Sequence, residues 1–551
     1  MWPLRHGANI GRTEARAHGC TDECHACCMK HEASGIFGPM RRYLLAAILS
    51  AATVAPLAAQ APESNLYLPI ASWATPYVEH LIRAGVLQGL DPLTRPLKRA
   101  DVARAIAKVD TTDLAESVKS SLRLLAEELE ERPDTVRWKV EANVAAQGGS
   151  DPSRWTVRPE RENSGLFWQG GLTGSLEFPH VGIVTSPYFD TRLARDDAFV
   201  GKKKSTIAGD NAEAYVLASW KYLDVFFGIE PRNWGPPEVE GLILSDNPYP
   251  YDYFLIRLGP QRFRLELAAT QLDNLPNVDS TNIRKRLLSL HRLVVVPSDR
   301  LAFSLSESAL YADAGGPSRS FEPWFLNPVN LWALVNNNYV GSVNSLWAGD
   351  VSWRLRRGLT FASQIYLDDI QVNTGTAGTK PAEWGYTFSL TGGGAAGAIS
   401  WSALYTRVDA TDYRTLANEE QYTIRGQGLA RNFADYDQTT ARVTFATVPR
   451  AVFGGELTYI RQGEGDMRKP FPPASSWADS LNFLTGIIER TLRIAVQANW
   501  TPVYGINLST DVGRHFIWNA NHVQGVRGDR WVWRIRAEIR RRLAGGIHWG
   551  D

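Results

Sequence analysis

The sequence predicts an all-β, antiparallel transmembrane barrel of the bacterial outer membrane, with about eighteen strands (sixteen to eighteen) and a small α-helical domain ahead of it. Three observations lead there. From Trp138 onward apolar and polar residues alternate with period two in segment after segment, the pattern of strands with one face in water and the other in an apolar medium. The wet faces carry arginine and glutamate too often for the core of a sandwich, where breaking a buried ion pair costs about 3–5 kcal/mol. The chain is also rich in aromatic residues, with 19 Trp, 19 Tyr and 20 Phe. No stretch after residue 62 approaches the roughly 18 consecutive apolar residues of a spanning helix.

The elements follow in order. Cys20, Cys24, Cys27 and Cys28, with His25 and His31, offer thiolates and imidazoles at a spacing that zinc tolerates. One short segment supplies no second knuckle of the usual paired form. At Met40 begins MRRYLLAAILSAATVAPLAAQAPES: two arginines, an apolar run from Tyr43 to Leu57, then small residues at Ala58, Ala59 and Ala61. That is the order of charge, short apolar helix and cleavage region in a secretory signal. Residues 40–60 are therefore expected to be a signal peptide, and 1–39 a mis-assigned extension, so that the mature chain has no cysteine. Charge is balanced, 59 Lys+Arg against 58 Asp+Glu, which implies no general attraction to nucleic acid.

Residues 61–135 have the period of helices. In ASWATPYVEHLIRAGVLQGL, Tyr77, Leu81, Ile82 and Val86 share a helical face, and Gly85 and Gly89 can end it. RADVARAIAKV follows Pro96, and a third helix is expected from Thr112 or Asp113 to just before Pro133. The pattern resembles a single S-layer-homology repeat and is read as a small periplasmic helical domain, a plug or folding cap for the barrel.

Residues 136–551 are assigned to the barrel. In ERTLRIAVQANW, Leu492, Ile494, Val496, Ala498 and Trp500 face one way and Thr491, Arg493, Gln497 and Asn499 the other; RFRLELAAT and RWVWRIRAEIRRR repeat the scheme. Trp500 and Trp533 suit an interfacial aromatic girdle. Short turns such as TPVYG alternate with long polar stretches at 271–284, 309–345, 409–437 and 462–487, which are expected outside the cell.

Three blocks carry a resemblance. GIEPRNWGPPEVEGLILSDNPYPYDYFLIRLGP (228–260), FEPWFLNPVNLWALVNNNYVGSVNSLWAGDVSWRLRRGLTFASQIYLDDIQ (321–371) and ALYTRVDATDYRT (403–415) resemble, in this order, segments of the capsule-assembly Wzi family. The resemblance implies an outer-membrane lectin that helps surface polysaccharide attach and a capsule assemble. The expected partners are capsular or extracellular polysaccharide and outer-membrane lipid, with no nucleic acid, and the chain is expected to be a monomer. A porin-like solute channel is the alternative.

Candidate sugar-binding residues fall in two groups. Pro231, Pro236, Pro237 and Gly235 fix a turn that could hold Arg232, Asn233 and Trp234 at a lumen constriction, an indole platform beside amide and guanidinium donors; Asp246 and Asn247 lie in the same segment. An inward-folded structural segment is the competing reading. Asn327, Asn336, Asn337 and Asn338 form the second group, and turn formation explains them equally well. Adjacent Asp368 and Asp369 point to opposite faces and cannot act as an acid/base pair. Arginines 262, 264, 493, 534, 536 and 540 are expected in the lumen, many paired with glutamates such as Glu266, Glu489 and Glu538. The histidines after residue 62 show no metal-ligand pattern, and no nucleophile elbow or phosphate loop occurs, so no metal, cofactor or enzymatic activity is expected.

Overall fold

The structure, a computed structural model, describes residues 64–129, 136–153, 157, 164–203, 206–273, 285–312, 321–336, 338, 343–369, 383–415, 420–469, 471–472 and 483–547. The cysteine cluster, the expected signal segment and Asn337 lie outside the described residues. Ala61–Asp551 forms one compact unit.

Among the described residues 18 antiparallel strands close into a barrel. Each pairs with the next barrel strand in sequence, and the last, Arg530–Ile547, pairs with the first, Val136–Gly149, from Arg534↔Gly149 to Ile547↔Val136. The period-two pattern holds through the wall. In the last strand Trp531, Ile535, Ile539 and Leu543 are exposed on the outside, while Glu538 and Arg540 are buried in the lumen. In Glu489–Trp500, Ile494, Val496 and Trp500 face out, and Thr491 and Arg493 face in. No described helix is long and apolar enough to cross a membrane. Backbone polar groups must be satisfied inside a bilayer, and a barrel that closes on itself leaves no open edge.

Turns alternate in length around the barrel. Those at 220–222, 299–300, 357–358 and 446–450 are short, whereas 191–207, 409–435 and 463–488 are long. In outer-membrane barrels the short-turn end faces the periplasm.

Three helices pack at that end: α1 (Thr75–Arg83), α2 (Arg99–Ala107) and α3 (Glu116–Leu129). The first stops where Gly85, at φ +75°, turns the chain; a Cβ there would meet Gly358 N of a short turn at 2.6 Å. The third starts later than Thr112, because the Asp110 carboxylate accepts both the Thr112 amide (3.0 Å) and its hydroxyl (2.7 Å) in a local turn that competes with helix. Tyr77, Leu81, Val102, Val118 and Leu125 share one core with Ala398, Ala446 and Val452 of the barrel. Full burial of such side chains contributes about 1.5–3 kcal/mol each.

Polar contacts complete the docking. The Tyr77 hydroxyl donates to Arg450 O at 2.7 Å, and His80 bridges Thr444 Oγ1 (2.8 Å) and Gly397 O (2.9 Å). The helical segment is thus built into the periplasmic mouth as a plug, sharing its core with the wall.

Candidate functional site

Strands Leu223–Ile229 and Asp252–Leu258 are neighbours, and each is only 7 residues long. The segment between them folds into the lumen instead of rising to the cell surface. Pro231, Pro236 and Pro237 stiffen its first part, and Gly235, at φ +131°, allows the turn that Asn233–Trp234 needs to pair with Thr94–Arg95 of the plug. Gly235 N–H donates to Leu93 O at 3.0 Å below. Above, the Tyr413 and Tyr422 hydroxyls of the 409–435 loop donate to Leu242 O and Ile243 O, each at 2.8 Å. The segment is therefore a pillar that ties the periplasmic plug to an extracellular loop.

This corrects the sugar-platform reading of Arg232, Asn233 and Trp234. Trp234 is 0% exposed, with the Arg292 guanidinium 5.2 Å from its ring centroid. Arg232 is buried among Tyr67, Phe226 and Tyr253 at 5.0, 5.7 and 5.7 Å, and its Nε donates to the Tyr253 hydroxyl at 3.0 Å. The aromatic faces compensate a cation that water does not reach. Asn233 donates to Val239 O (3.1 Å) and accepts from Gly241 N–H (2.6 Å), so its amide is spent on the turn. Asn247 is buried and donates to Gly428 O at 2.7 Å. All four are buried in the pillar, and none lines the main lumenal cavity.

Asp246 does border open space. Asn327 and Asn338 are exposed, and Asn336 donates to Val343 O at 3.0 Å; all three belong to a different region, the 321–343 connection. The two groups of candidates therefore do not form one site. Asp368 accepts the Tyr413 amide at 2.8 Å at a strand end, as a structural partner of the long loop.

What the lumen does offer is a cavity of about 970 Å³ between the pillar and the wall formed around the seam of first and last strands. Asn143, Gln147, Gln169, Arg536, Glu538 and Arg540 line its middle. Asn143 Nδ2 donates to Glu538 Oε1 at 2.7 Å. Arg540 lies 3.8 Å from Glu141 and 4.3 Å from the Trp73 ring centroid, yet its Nε and Nη2, like Gln147 Nε2, are buried without a protein partner. Such donors are costly to bury unless water or a ligand accepts from them. At the upper end Arg192 pairs with Asp196 at 2.8 Å, and the Tyr249 hydroxyl donates to the same carboxylate at 2.6 Å.

The floor is a charge cluster at the end of α3. The Glu128 carboxylate meets Lys139 Nζ at 3.2 Å, Arg99 at 3.4 Å and Arg542 at 3.5 Å, and accepts the Tyr504 hydroxyl at 2.7 Å. Burial opposes its ionisation, but Lys139, Arg99 and Arg542 outweigh that and hold its pKa at about 2.

Elsewhere the expected pairing of lumenal arginines is found. Arg264 binds Glu266 at 2.8 Å as well as Asp91, Arg292 binds Asp350 at 3.3 Å, and Arg493 is held by Glu456 and Asp511. Arg262 departs from the expectation, since it is exposed beside Asp299 at a short turn and not in the lumen. Asn143, Gln147 and Gln169 were not singled out by the sequence, where alternation marks them as lumenal and nothing distinguishes them from other polar wall residues.

A closed 18-stranded antiparallel barrel with an apolar outer wall and a polar lumen is an outer-membrane β-barrel protein. No family model and no curated protein matches the chain. Among solved structures it is similar to Wzi of Escherichia coli, a carbohydrate-binding β-barrel involved in group 1 capsule assembly, with TM-score 0.57 and 14% identity over 86% of this chain and 98% of that one. It is also similar to OpdP of Pseudomonas aeruginosa, with TM-score 0.43 and 11% identity over 74% of this chain and 91% of that one. The outer membrane protein OprD from the same organism has TM-score 0.41 and 12% identity over 74% and 94%. At these identities the likeness is one of fold.

Proposed function

We propose that this chain is an outer-membrane lectin that binds surface polysaccharide in its lumenal cavity and assists attachment and assembly of a capsule or exopolysaccharide. The observation that carries the reading is a polar lumenal cavity of about 970 Å³ lined by Asn143, Gln147, Gln169, Arg536, Glu538 and Arg540. A hydroxyl-rich, acidic glycan suits this lining: its carboxylates and hydroxyls accept from arginine and amide donors, and its hydroxyls donate to Glu538. The Trp73 ring beside Arg540 adds an apolar face of the kind that pyranose C–H groups pack on. The fold likeness to a carbohydrate-binding barrel agrees with this reading. The role is binding, with no catalytic step.

The test is glycan binding by the refolded barrel, using polysaccharide extracted from the surface of the source cells, beside an Arg536→Ala, Arg540→Ala variant. Binding by the parent that the variant loses is the expected result. A folded parent that does not bind overturns the proposal.

One observation favours a second reading, a solute channel. The cavity runs from Arg192 and Tyr249 near the long loops to Trp73 and Glu128 at the plug, along the length of the lumen. Conductance in a planar bilayer separates the two: a plugged lectin passes little current, and a channel passes steady current with the plug in place.

A further inference from the structure

The outer wall carries an anomaly. Direct register partners run Leu267↔His291↔Glu307↔Trp347↔Leu367↔Trp384 across neighbouring strands, all on the outward face. Phe303 and Leu305, on the same face of the Glu307 strand, are exposed as lipid-facing residues are. An imidazole and a carboxylate thus sit in the middle of an apolar ladder. Left uncovered, the carboxylate would face hydrocarbon without partners for its lone pairs.

It is covered. The chain at 321–336 lies against the outside of the barrel, with Phe325, Trp332 and Val335 buried against Leu267, Leu287, Ala309 and Tyr311. Glu307 accepts the amides of Trp332 (2.9 Å) and Ala333 (2.6 Å) and meets His291 Nε2 at 3.0 Å; the His291 ring stacks on Trp332 at 4.1 Å. The strap thereby covers Glu307 and the His291 ring, with His291 Nδ1 buried and without a protein partner.

The strap's other side is apolar. Trp324, Val329, Leu331 and Leu334 are exposed, Val329 by 77%. Glu322 is the single charged residue between Phe321 and Asn336, and it accepts the Trp324 indole N–H at 2.6 Å. A loop projecting into water has no reason to expose this set, and a docking face for a soluble protein would normally have a charged rim.

We propose that the strap at 321–336 is immersed in the membrane, with Trp324, Val329, Leu331 and Leu334 packed against acyl chains of the outer leaflet. The occupant follows from continuity: the strap lies on the lipid-facing wall itself and replaces its apolar surface where Glu307 and His291 interrupt it. The inference stands apart from the lumenal site and does not depend on its ligand.

The test uses the unaltered protein reconstituted in phosphatidylcholine vesicles, photolabelled in parallel with phosphatidylcholine bearing a diazirine on its acyl chain and with a water-soluble diazirine. Adducts are mapped by mass spectrometry, with Leu457, Val496 and Ile535 of the bare wall as internal references. The expected result is acyl-chain adducts on the strap at a yield comparable to these references and few aqueous adducts. Labelled references with a strap marked from water overturn the proposal. So does a strap protected from both probes while the references are labelled, which would make it a protein interface.

Discussion

The lumen has two sides built from the same alternation of residues, and they have opposite fates. Toward the strands that follow the pillar, arginines are locked: Arg292 and Asp350 are both 0% exposed, and Arg292 also donates to Thr94 Oγ1 at 3.0 Å and Ser304 Oγ at 3.0 Å. Toward the seam of first and last strands, Arg534, Arg536 and Arg540 line a cavity of about 970 Å³. The difference lies in what reaches them. The pillar and the Leu93–Arg95 stretch of the plug supply acceptors deep on the first side, whereas on the second the plug meets the wall at the cavity floor, where Glu128 holds Lys139 and Arg542. An arginine in a barrel lumen is therefore structural or available for a ligand according to the inward segments it meets.

The largest effect should come from breaking the packed side. Removing one partner of a buried ion pair leaves the other uncompensated, so Arg292→Ala or Asp350→Ala should cost about 3–5 kcal/mol in urea unfolding of the vesicle-inserted barrel. A loss under 1 kcal/mol in that measurement, of the order expected for an exposed pair, would erase the contrast between the two sides.

Acid should act next, through the plug. Burial lowers the His80 pKa from 6.5 to about 4, and the Gly397 carbonyl only partly restores it. The unfolded chain then takes up a proton before the folded one does. His80 stabilises fully above pH 6.5, loses that contribution as pH falls toward 4, and loses no more below. The total is about 3 kcal/mol at roughly 1.4 kcal/mol per unit. Unfolding midpoints should slope through that window, and His80→Gln should flatten them. Glu128, lowered from 4.5 to about 2, adds a separate loss below pH 4.5.

On the open side, Glu128→Gln should weaken the latch between α3 and the seam by about 1.5–3 kcal/mol, the range for hydrogen bonds to a charged group. The same variant should raise bilayer conductance, because Glu128 is the cavity floor. Arg540→Ala should cost only about 1 kcal/mol, its cation–π contact with Trp73, while abolishing glycan binding; a larger stability loss would make it structural like Arg292. The smallest effect belongs to Asp299→Ala at the exposed pair with Arg262, within about 0.5 kcal/mol by chemical unfolding.

Much of the fold was legible because backbone geometry imposes it. Side chains on a strand alternate by necessity, so Ile494, Val496 and Ile535 declared the lipid face and Arg493 and Glu538 the lumen. The prolines around Trp234 marked an inward turn, but whether its indole would be covered depended on residues far away: Gln364 donates to Trp234 O at 3.0 Å across 130 positions, and Arg292 arrives from another strand. The asparagine-rich stretch was visible as polar, with no sign in it that its neighbours would lie along the outer wall. Gln147 and Asn143 were marked as lumenal by alternation but not as lining a cavity.

By itself the sequence determined the barrel, its antiparallel order, the approximate strand number and the three helices, since each follows from periodicity over a few residues. Only the tertiary structure decided which lumenal charges are neutralised, where space remains, and that the strap turns outward to seal Glu307. Those outcomes rest on contacts between positions well separated in the chain, from 25 residues for Glu307 with Trp332 to 173 for Arg264 with Asp91, and a local pattern holds no information about which acceptor will arrive beside a given donor.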